Sequence, residues 1–179
     1  MIAYRHADPR FPFLREDSSQ SAGRWNAAGE PTHYFCDTPD GAWAEFLRHE
    51  EIRDPQDLLT IRRALWAVDI GDPPSDEPAL PRQTLLGGRE TWPACQQAAR
   101  EHRKHMNGVA APSAALNPGA ASGWRVDGGL RPGPGRDGKV FALFGRRPDI
   151  IGWAATIDGR PDRDLLPKVR HFQMRETDR

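Results

Sequence analysis

Short apolar runs, separated by polar segments rich in glycine and proline, make up most of this chain. Runs of β-branched and aromatic residues bounded by such segments predict β-strands. These runs cover residues 1–5, 32–36, 64–70, 108–111, 139–144 and 150–157. We expect the first of them to be an edge or entry strand. Because strands dominate and helices are few, the pattern predicts an α+β domain with a mixed or antiparallel β core.

Threonine followed closely by proline marks the start of both helices that the pattern predicts. Thr38 is placed to cap the first helix, with Pro39 at the first helical position. Apolar residues then recur at helical spacing and form one face of that helix. Thr91 opens the second helix in the same way, and we expect this helix to end near Met106.

Glycine and proline crowd two further segments, residues 71–81 and 117–136, which we therefore expect to be loops. Near the end of the chain, residues 169–172 are expected to add a final edge strand. A chain of 179 residues is long enough to bury a core as one domain. We assign residues 1–172 to this domain and expect residues 173–179 to be a disordered tail.

Charge and cysteine content narrow the classes of function. Lys+Arg and Asp+Glu both number 25, and this balance argues against nucleic acid as the main partner. It is compatible with a local basic cleft for a small phosphate ligand, and arginine far outnumbers lysine. Two cysteines are too few for a disulfide framework or a zinc site, so we expect no metal and a reducing compartment. No apolar run approaches the ~18–20 residues of a membrane span, and no apolar signal core follows Met1, so we expect no membrane partner and a cytoplasmic location.

Chemistry-bearing residues are concentrated between residues 23 and 50. A glycine-rich turn carries Arg24, the following strand carries Tyr34, and the first helix carries Glu45. Glu45 lies beside the apolar stripe of its helix, where a carboxylate is usually paired or kept for chemistry. One short unit thus brings together a guanidinium, a phenol and a carboxylate.

This arrangement, GRWNxxGxPxxYF followed by AxxE, resembles the RES-domain family, which is named after an Arg, a Glu and a Ser. Ser113, in the segment VAAPSAA, stands in the setting of the family's serine, and the opening Tyr4-Arg5 resembles its first strand. The resemblance extends from Tyr4 to about Phe144.

The resemblance implies a fold related to ADP-ribosyltransferase toxins and an enzyme that degrades NAD+. It further implies the toxin of a toxin–antitoxin pair, with an Xre-like helix-turn-helix protein as antitoxin. The glycine- and proline-rich segment 117–136 departs from the family pattern, because the family reaches its next strand sooner. This departure leaves open a non-catalytic RES-like module that only binds a partner or nucleotide.

Glu45 is the candidate for the central chemical role. Cleavage of the nicotinamide–ribose bond of NAD+ passes through a ribosyl oxocarbenium-like state, because nicotinamide leaves as a neutral base. A carboxylate beside the ribose stabilises the positive charge that develops. In the alternative interpretation, Glu45 is a helix-surface residue that pairs with Arg48 or His49 at i+3 or i+4.

Four other residues are candidates for binding NAD+. Arg24 suits the pyrophosphate or an attacking inorganic phosphate, and Arg5 is a second choice for the same role. Alternatively, Arg24 only ties its loop down by bonding carbonyls, and Arg5 is a surface arginine. Tyr34 is expected to stack on nicotinamide or donate its hydroxyl, unless it is simply a core residue. Ser113 is expected to bond the ribose or a phosphate.

These roles together predict cleavage of NAD+ to nicotinamide and an ADP-ribose product. The reaction is phosphorolysis if inorganic phosphate occupies the acceptor site, and hydrolysis if water does. Beyond NAD+ as substrate, no cofactor is expected. The alternative within enzymology is transfer of ADP-ribose to a macromolecule.

Overall fold

The computed structural model describes residues 1–15 and 20–172, and its core is an antiparallel sheet. In chain order, the strands are β1 (Ile2–Ala7), β2 (Thr32–Cys36), β3 (Arg63–Asp69), β4 (Gly108–Pro112), β5 (Trp124–Val126), β6 (Leu130–Pro132), β7 (Lys139–Phe144) and β8 (Ile151–Gly159). Six of them form one sheet in the spatial order β4-β7-β2-β1-β3-β8, while β5 and β6 form a separate two-stranded ribbon. Every pairing between these strands is antiparallel.

The helices are few and short, as the α+β prediction requires. They are α1 (Pro39–His49), α2 (Arg82–Leu86) and α3 (Trp92–His102), with 3-10 turns at Asp57–Thr60, Arg89–Thr91 and Arg163–Lys168. Thr38 caps α1 as predicted, since its hydroxyl accepts a hydrogen bond from the Gly41 N–H at 3.0 Å. Within the described ranges, none of the helices is both long and apolar enough to cross a bilayer.

The helices pack on one face of the sheet because alternate residues of each strand point to opposite faces. Val140 of β7 packs with the α1 core, whereas Ala142 of the same strand packs with α2 and α3. Phe141 and Leu143, the intervening residues, lie in a third cluster on the other face, where Phe13 covers the sheet. The strand pattern read from the sequence therefore fixes which face receives α1.

The sheet opens between its two central strands. β1 pairs with β3 from Ile2 to Ala7, and β2 pairs with β7 along its length. Between β1 and β2, however, the register holds at a single position, Tyr4 opposite Cys36. The backbone on either side of that pair is released from the ladder, which leaves a gap in the middle of the sheet.

The glycine-rich segment 117–136 was predicted to be a loop, and this prediction is wrong for β5 and β6. Val126 pairs with Leu130, and the connection between them includes Gly128 and Gly129, whose φ angles are +62° and +135°. Hairpin turns need residues that tolerate positive φ. Gly128 and Gly129, which in the sequence favour a loop, instead form the turn that joins the two strands.

Two further expectations about strands are wrong. β1 is not an edge or entry strand: it lies in the interior of the sheet, between β2 and β3. The final strand expected at residues 169–172 does not form, because Val169 makes only an isolated bridge with Leu116. The preceding 3-10 turn redirects the chain, so Phe172 reaches the gap instead.

Helix boundaries differ from expectation in the second half of the chain. α3 ends at His102, and residues 103–105 form a turn. Thr91 does not cap α3; its hydroxyl donates to the Gly88 carbonyl at 2.8 Å. The short helix α2 lies in a stretch for which no helix was predicted. The predicted tail, residues 173–179, lies outside the described residues.

Candidate active site

A cavity of about 530 Å³ lies where β1 and β2 separate. Its walls come from both strands, from one flank of α1, from the loop over residues 20–26, from the start of α3 and from Phe172. Glu45, Arg24, Tyr34 and Arg5 all line it, so the fold brings together four of the five residues that the sequence singled out.

Glu45 is held by a hydroxyl behind it. Its Oε1 accepts a hydrogen bond from the Ser113 hydroxyl at 3.3 Å, and its Oε2 lies 3.9 Å from Nε2 of His49. The backbone N–H groups of Ala115 and Leu116 both donate to the Ser113 oxygen at 3.2 Å, which fixes the hydroxyl. The Glu45 side chain remains 22% exposed. Ser113 thus orients the carboxylate from the side away from the cavity, and the carboxylate is open on the side that faces the cavity.

Ser113 has a different place from the one expected. Sequence reasoning gave it a direct contact with the ribose or a phosphate. In the structure it is buried, 4% exposed, and it stands behind Glu45 instead of among the residues that line the cavity. The group that its hydroxyl contacts is the Glu45 carboxylate.

Arg24 lines the cavity, but its nitrogens are engaged by the protein. Nη1 donates to the Thr84 carbonyl at 3.1 Å and to the Thr91 hydroxyl at 3.2 Å, and Nη2 donates to the Gly87 carbonyl at 2.7 Å. This is the loop-fastening arrangement that the sequence left open as an alternative. The positive charge of Arg24 still belongs to the cavity wall, although Nη1 and Nη2 both already donate to protein acceptors.

Arg48 is a cavity residue that sequence reasoning considered only as an ion-pair partner of Glu45. Its guanidinium instead donates to the carbonyls of Ala114, Arg170 and Gly87. Burial lowers the pKa of Arg48 to about 10, so it keeps its charge at neutral pH. Its position one helical turn beyond Glu45 was the available signal, since residues at i and i+3 share a helix face.

Arg5 also lines this cavity, and it holds one of its donors away from solvent. Its Nη1 is inaccessible to solvent and has no hydrogen-bond partner among the described residues. Burial lowers the pKa of Arg5 to about 10, and its guanidinium carbon lies 6.0 Å from the centroid of the Phe35 ring. A buried cationic donor without a partner is costly unless an anion satisfies it. Of the three arginines that line the cavity, Arg5 is the one with a buried donor that no described residue accepts.

Tyr34 places its ring in the cavity wall and its hydroxyl in the adjoining loop. The hydroxyl accepts from the Trp25 N–H at 2.8 Å and donates to Oδ1 of Asn26 at 2.7 Å. Burial raises the pKa of Tyr34, so the phenol stays neutral. The hydroxyl thus fastens the loop over residues 20–26, while the side chain lines the cavity and packs against both core clusters on the helix side of the sheet.

His6 also lines the cavity and was missed at the sequence level. Its Nδ1 lies 3.2 Å from a guanidinium nitrogen of Arg63. Burial, with the nearby charges of Arg63 and Arg5, lowers the pKa of His6 to about 3, so the ring is neutral. A neutral imidazole that accepts at Nδ1 carries its proton on Nε2. The signal was strand alternation, which places His6 on the same face as Tyr4.

The electrostatic balance of the described cavity wall is positive. Arg5, Arg24 and Arg48 line the same cavity as the carboxylate of Glu45. Such a site suits a ligand that carries phosphate charge next to a centre that becomes cationic during reaction. Across residues 1–15 and 20–172, no group of three or more His, Cys, Asp or Glu side chains is arranged to hold a metal ion.

Comparison with known proteins places these features in a family context. Residues 2–126 match the sequence model of the RES domain. A protein of Pseudomonas putida called Toxin Res is 48% identical over 44 residues, which are 25% of this chain and 30% of that protein. The match therefore spans less than a third of the length of that relative.

The fold also has a counterpart among solved structures. A chain of the M. tuberculosis MbcT–MbcA toxin–antitoxin complex superposes with a TM-score of 0.57, over 87% of this chain and 84% of that one. At 19% sequence identity the likeness concerns the fold. It confirms the predicted α+β architecture.

Proposed function

This chain belongs to the RES domain family, and from that premise we propose that it is an enzyme that cleaves the nicotinamide–ribose bond of NAD+. The observation that carries the proposal is the carboxylate of Glu45. It is oriented by Ser113 and open to a cavity whose other charged wall residues are arginines. A dinucleotide with two phosphates and a reacting ribose has the charge pattern that this wall complements.

In the proposed reaction Glu45 stabilises positive charge. The bond between ribose C1 and the nicotinamide nitrogen breaks, and its electron pair stays on the nitrogen, which becomes neutral. Positive charge builds on the ribose ring, and the Glu45 carboxylate strengthens its interaction with the sugar as it does so. Ser113 keeps the carboxylate in place by donating to its other side. No proton need be given to the leaving group.

The acceptor completes the reaction. We favour inorganic phosphate, because the unpartnered Nη1 of Arg5 and the charges of Arg24 and Arg48 favour a second anion in the cavity. A phosphate oxygen then bonds to ribose C1, which gives an ADP-ribose phosphate ester and nicotinamide. With water as acceptor, the product is ADP-ribose and a proton is released to solvent.

The remaining candidates take supporting roles. Arg5 binds the diphosphate of NAD+ or the acceptor phosphate through its free donor. Arg24 contributes positive charge from a fixed position, since its nitrogens bond the protein. The ring of Tyr34 packs against nicotinamide, while its hydroxyl holds the loop that closes that end of the cavity.

We further propose that the protein is the toxin of a toxin–antitoxin pair and that its partner is an Xre-like helix-turn-helix protein. The support is family membership, the P. putida relative called Toxin Res, and a fold shared with a chain of a toxin–antitoxin complex. Induced expression is expected to lower cellular NAD+ and stop growth, and co-expression of the antitoxin is expected to prevent both effects.

The direct test measures nicotinamide release from NAD+ by purified protein, with and without inorganic phosphate. Release that rises with phosphate is expected, together with a loss of at least about 100-fold in kcat for Glu45→Gln. Glu50→Gln is the matched control, because it makes the same change at an exposed position at the end of the same helix.

Three outcomes would redirect the proposal. Release that is indifferent to phosphate indicates hydrolysis. Label from NAD+ that appears on protein or nucleic acid indicates ADP-ribosyl transfer. Saturable NAD+ binding without nicotinamide release indicates a non-catalytic module and overturns the assignment of an enzyme.

A further inference from the structure

Three rings meet at one end of the cavity, and the proposed reaction uses none of them. His49 lies 6.1 Å, centroid to centroid, from both Trp92 and Phe172, and all three side chains line the cavity. The guanidinium carbon of Arg89 lies 5.1 Å from the centroid of Phe172 and 5.9 Å from that of Trp92. We call these four residues the aromatic rim. They come from the end of α1, the segment around the start of α3, and the far end of the described chain.

Phe172 is held at this position by bonds around it. Arg53 donates to its carbonyl at 2.6 Å, and the Arg48 guanidinium carbon lies 4.4 Å from its ring centroid. Two residues earlier, Arg170 donates its N–H to the Ala115 carbonyl at 2.6 Å and accepts at its own carbonyl from Arg48 at 3.0 Å. The ring is therefore anchored to the same helix that carries Glu45.

Trp92 adds a hydrogen-bond donor that the protein leaves unused. Its indole Nε1 is buried, and nothing in residues 1–15 or 20–172 accepts from it. Buried polar atoms in native proteins nearly always have a partner. An acceptor atom on a planar ligand that stacks between the rings would supply one.

We propose that the aromatic rim binds the adenine base of NAD+. This inference rests on the proposed function. It assigns the adenine base to the end of the cavity that the proposed reaction does not use. Adenine is planar, stacks well on aromatic and guanidinium groups, and carries ring nitrogens that accept hydrogen bonds.

Charge decides between the two bases of the dinucleotide. The nicotinamide ring of NAD+ is positively charged. The guanidinium carbon of Arg89, in the rim, lies 5.1 Å from the Phe172 ring centroid, and that of Arg48, outside the rim, lies 4.4 Å from it. A second cation between these groups is repelled, whereas neutral adenine is attracted by stacking and cation–π contact. Burial also lowers the pKa of His49, so this ring offers a neutral face at pH 7.

The position of the rim agrees with this order. His49 is close both to Glu45 and to the two larger rings: its Nε2 lies 3.9 Å from Oε2 of Glu45, and its ring centroid lies 6.1 Å from those of Trp92 and Phe172. Tyr34 and the loop over residues 20–26 form another part of the wall. With the reacting ribose on Glu45 and nicotinamide beside Tyr34, the rim is left for the opposite end of the dinucleotide.

The test compares substrates with and without adenosine. Phe172→Ala is expected to raise KM for NAD+ at least tenfold, with kcat little changed. For nicotinamide mononucleotide, which has no adenine, kcat/KM is expected to stay the same. Trp92→Phe removes only the indole donor and is expected to raise KM for NAD+ about threefold. Phe11→Ala and Trp124→Phe, at exposed positions that do not line the cavity, are the matched controls.

A binding measurement separates this proposal from the proposed reaction. AMP titrated calorimetrically into the wild-type protein is expected to bind, and Phe172→Ala is expected to weaken it at least tenfold. The proposal is overturned if AMP binds both proteins equally, or if Phe172→Ala impairs nicotinamide mononucleotide and NAD+ to the same degree. If the wild-type protein binds AMP through the rim but releases no nicotinamide, the proposed reaction is wrong and the adenine site is retained.

Discussion

Two walls of the same cavity carry arginine in opposite states. Against the segment over residues 84–91, Arg24 donates to two carbonyls and a hydroxyl, and Arg48 shares the Gly87 carbonyl with it. On β1, the Nη1 of Arg5 is buried and has no acceptor among the described residues. The guanidinium groups of the first wall are hydrogen-bonded to nearby protein atoms, whereas the guanidinium of the second wall keeps one donor without an acceptor.

This difference separates support from binding. A guanidinium bonded to carbonyls holds loops together, and its removal leaves acceptors unsatisfied. A buried guanidinium without an acceptor destabilises the free protein, and binding of an anion offsets that destabilisation. Arg24 and Arg5 are therefore expected to respond to the same substitution in opposite ways.

The largest effect on stability is expected at Arg24. Arg24→Met removes the donors to the carbonyls of Thr84 and Gly87, so the free energy of unfolding should fall by about 2–3 kcal/mol. Urea denaturation followed by circular dichroism measures it. Arg100→Met, at an exposed position of α3, is the control and should change stability little. An unchanged midpoint for Arg24→Met would show that these bonds contribute nothing to the fold.

Lowering the pH from 6.5 to 5 is expected to cost about 2 kcal/mol of stability through His6, on the β1 wall. The pKa of His6 is about 3 in the folded state, with Arg63, Arg5 and His49 as the charged or titratable neighbours, and about 6.5 when unfolded. The unfolded chain therefore binds the proton first, so stability is complete above pH 6.5 and declines as the pH falls towards 3. Between pH 6.5 and 5 the loss approaches about 1.4 kcal/mol per unit.

His6→Gln should remove this part of the pH dependence, and exposed His105→Gln should retain it. The comparison is made by urea denaturation at both pH values. Equal slopes in the His6→Gln and wild-type proteins would mean that folding does not lower the pKa of His6.

A tenfold effect on substrate binding, equal to about 1.4 kcal/mol, is expected at Arg5. Arg5→Met should raise KM for NAD+ about tenfold without lowering the free energy of unfolding, because it removes a buried donor that lacks a partner. Steady-state kinetics and urea denaturation together test the contrast with Arg24. Lower stability with an unchanged KM would place Arg5 in the framework.

The smallest effect is expected at Tyr34. Tyr34→Phe keeps the ring and removes the hydroxyl that links Trp25 to Asn26, which should cost about 1 kcal/mol of stability. The kcat for NAD+ should change by less than about threefold, because that hydroxyl is used by the loop. A drop of 100-fold in kcat would instead assign the hydroxyl a part in the chemistry.

The sequence alone predicted the strands of the core, the capped helix that carries Glu45, and the motif that led to the RES family. These features depend on neighbouring residues: β-branched runs, the Thr38–Pro39 start and alternation along a strand. Short-range signals of this kind are readable without knowledge of the fold. The hairpin of β5 and β6 was readable too, from its Asp-Gly-Gly turn, but the high glycine content favoured a loop.

The partners of the site residues were decided by tertiary structure alone. Arg24 finds the Thr84 carbonyl 60 positions away, and Ser113 meets Glu45 from 68 positions away. Phe172 enters the cavity because the chain returns to α1 after its last strand. Composition and spacing show which donors and acceptors are present. Whether a donor bonds a backbone carbonyl or remains available for a ligand depends on which distant backbone the fold places beside it.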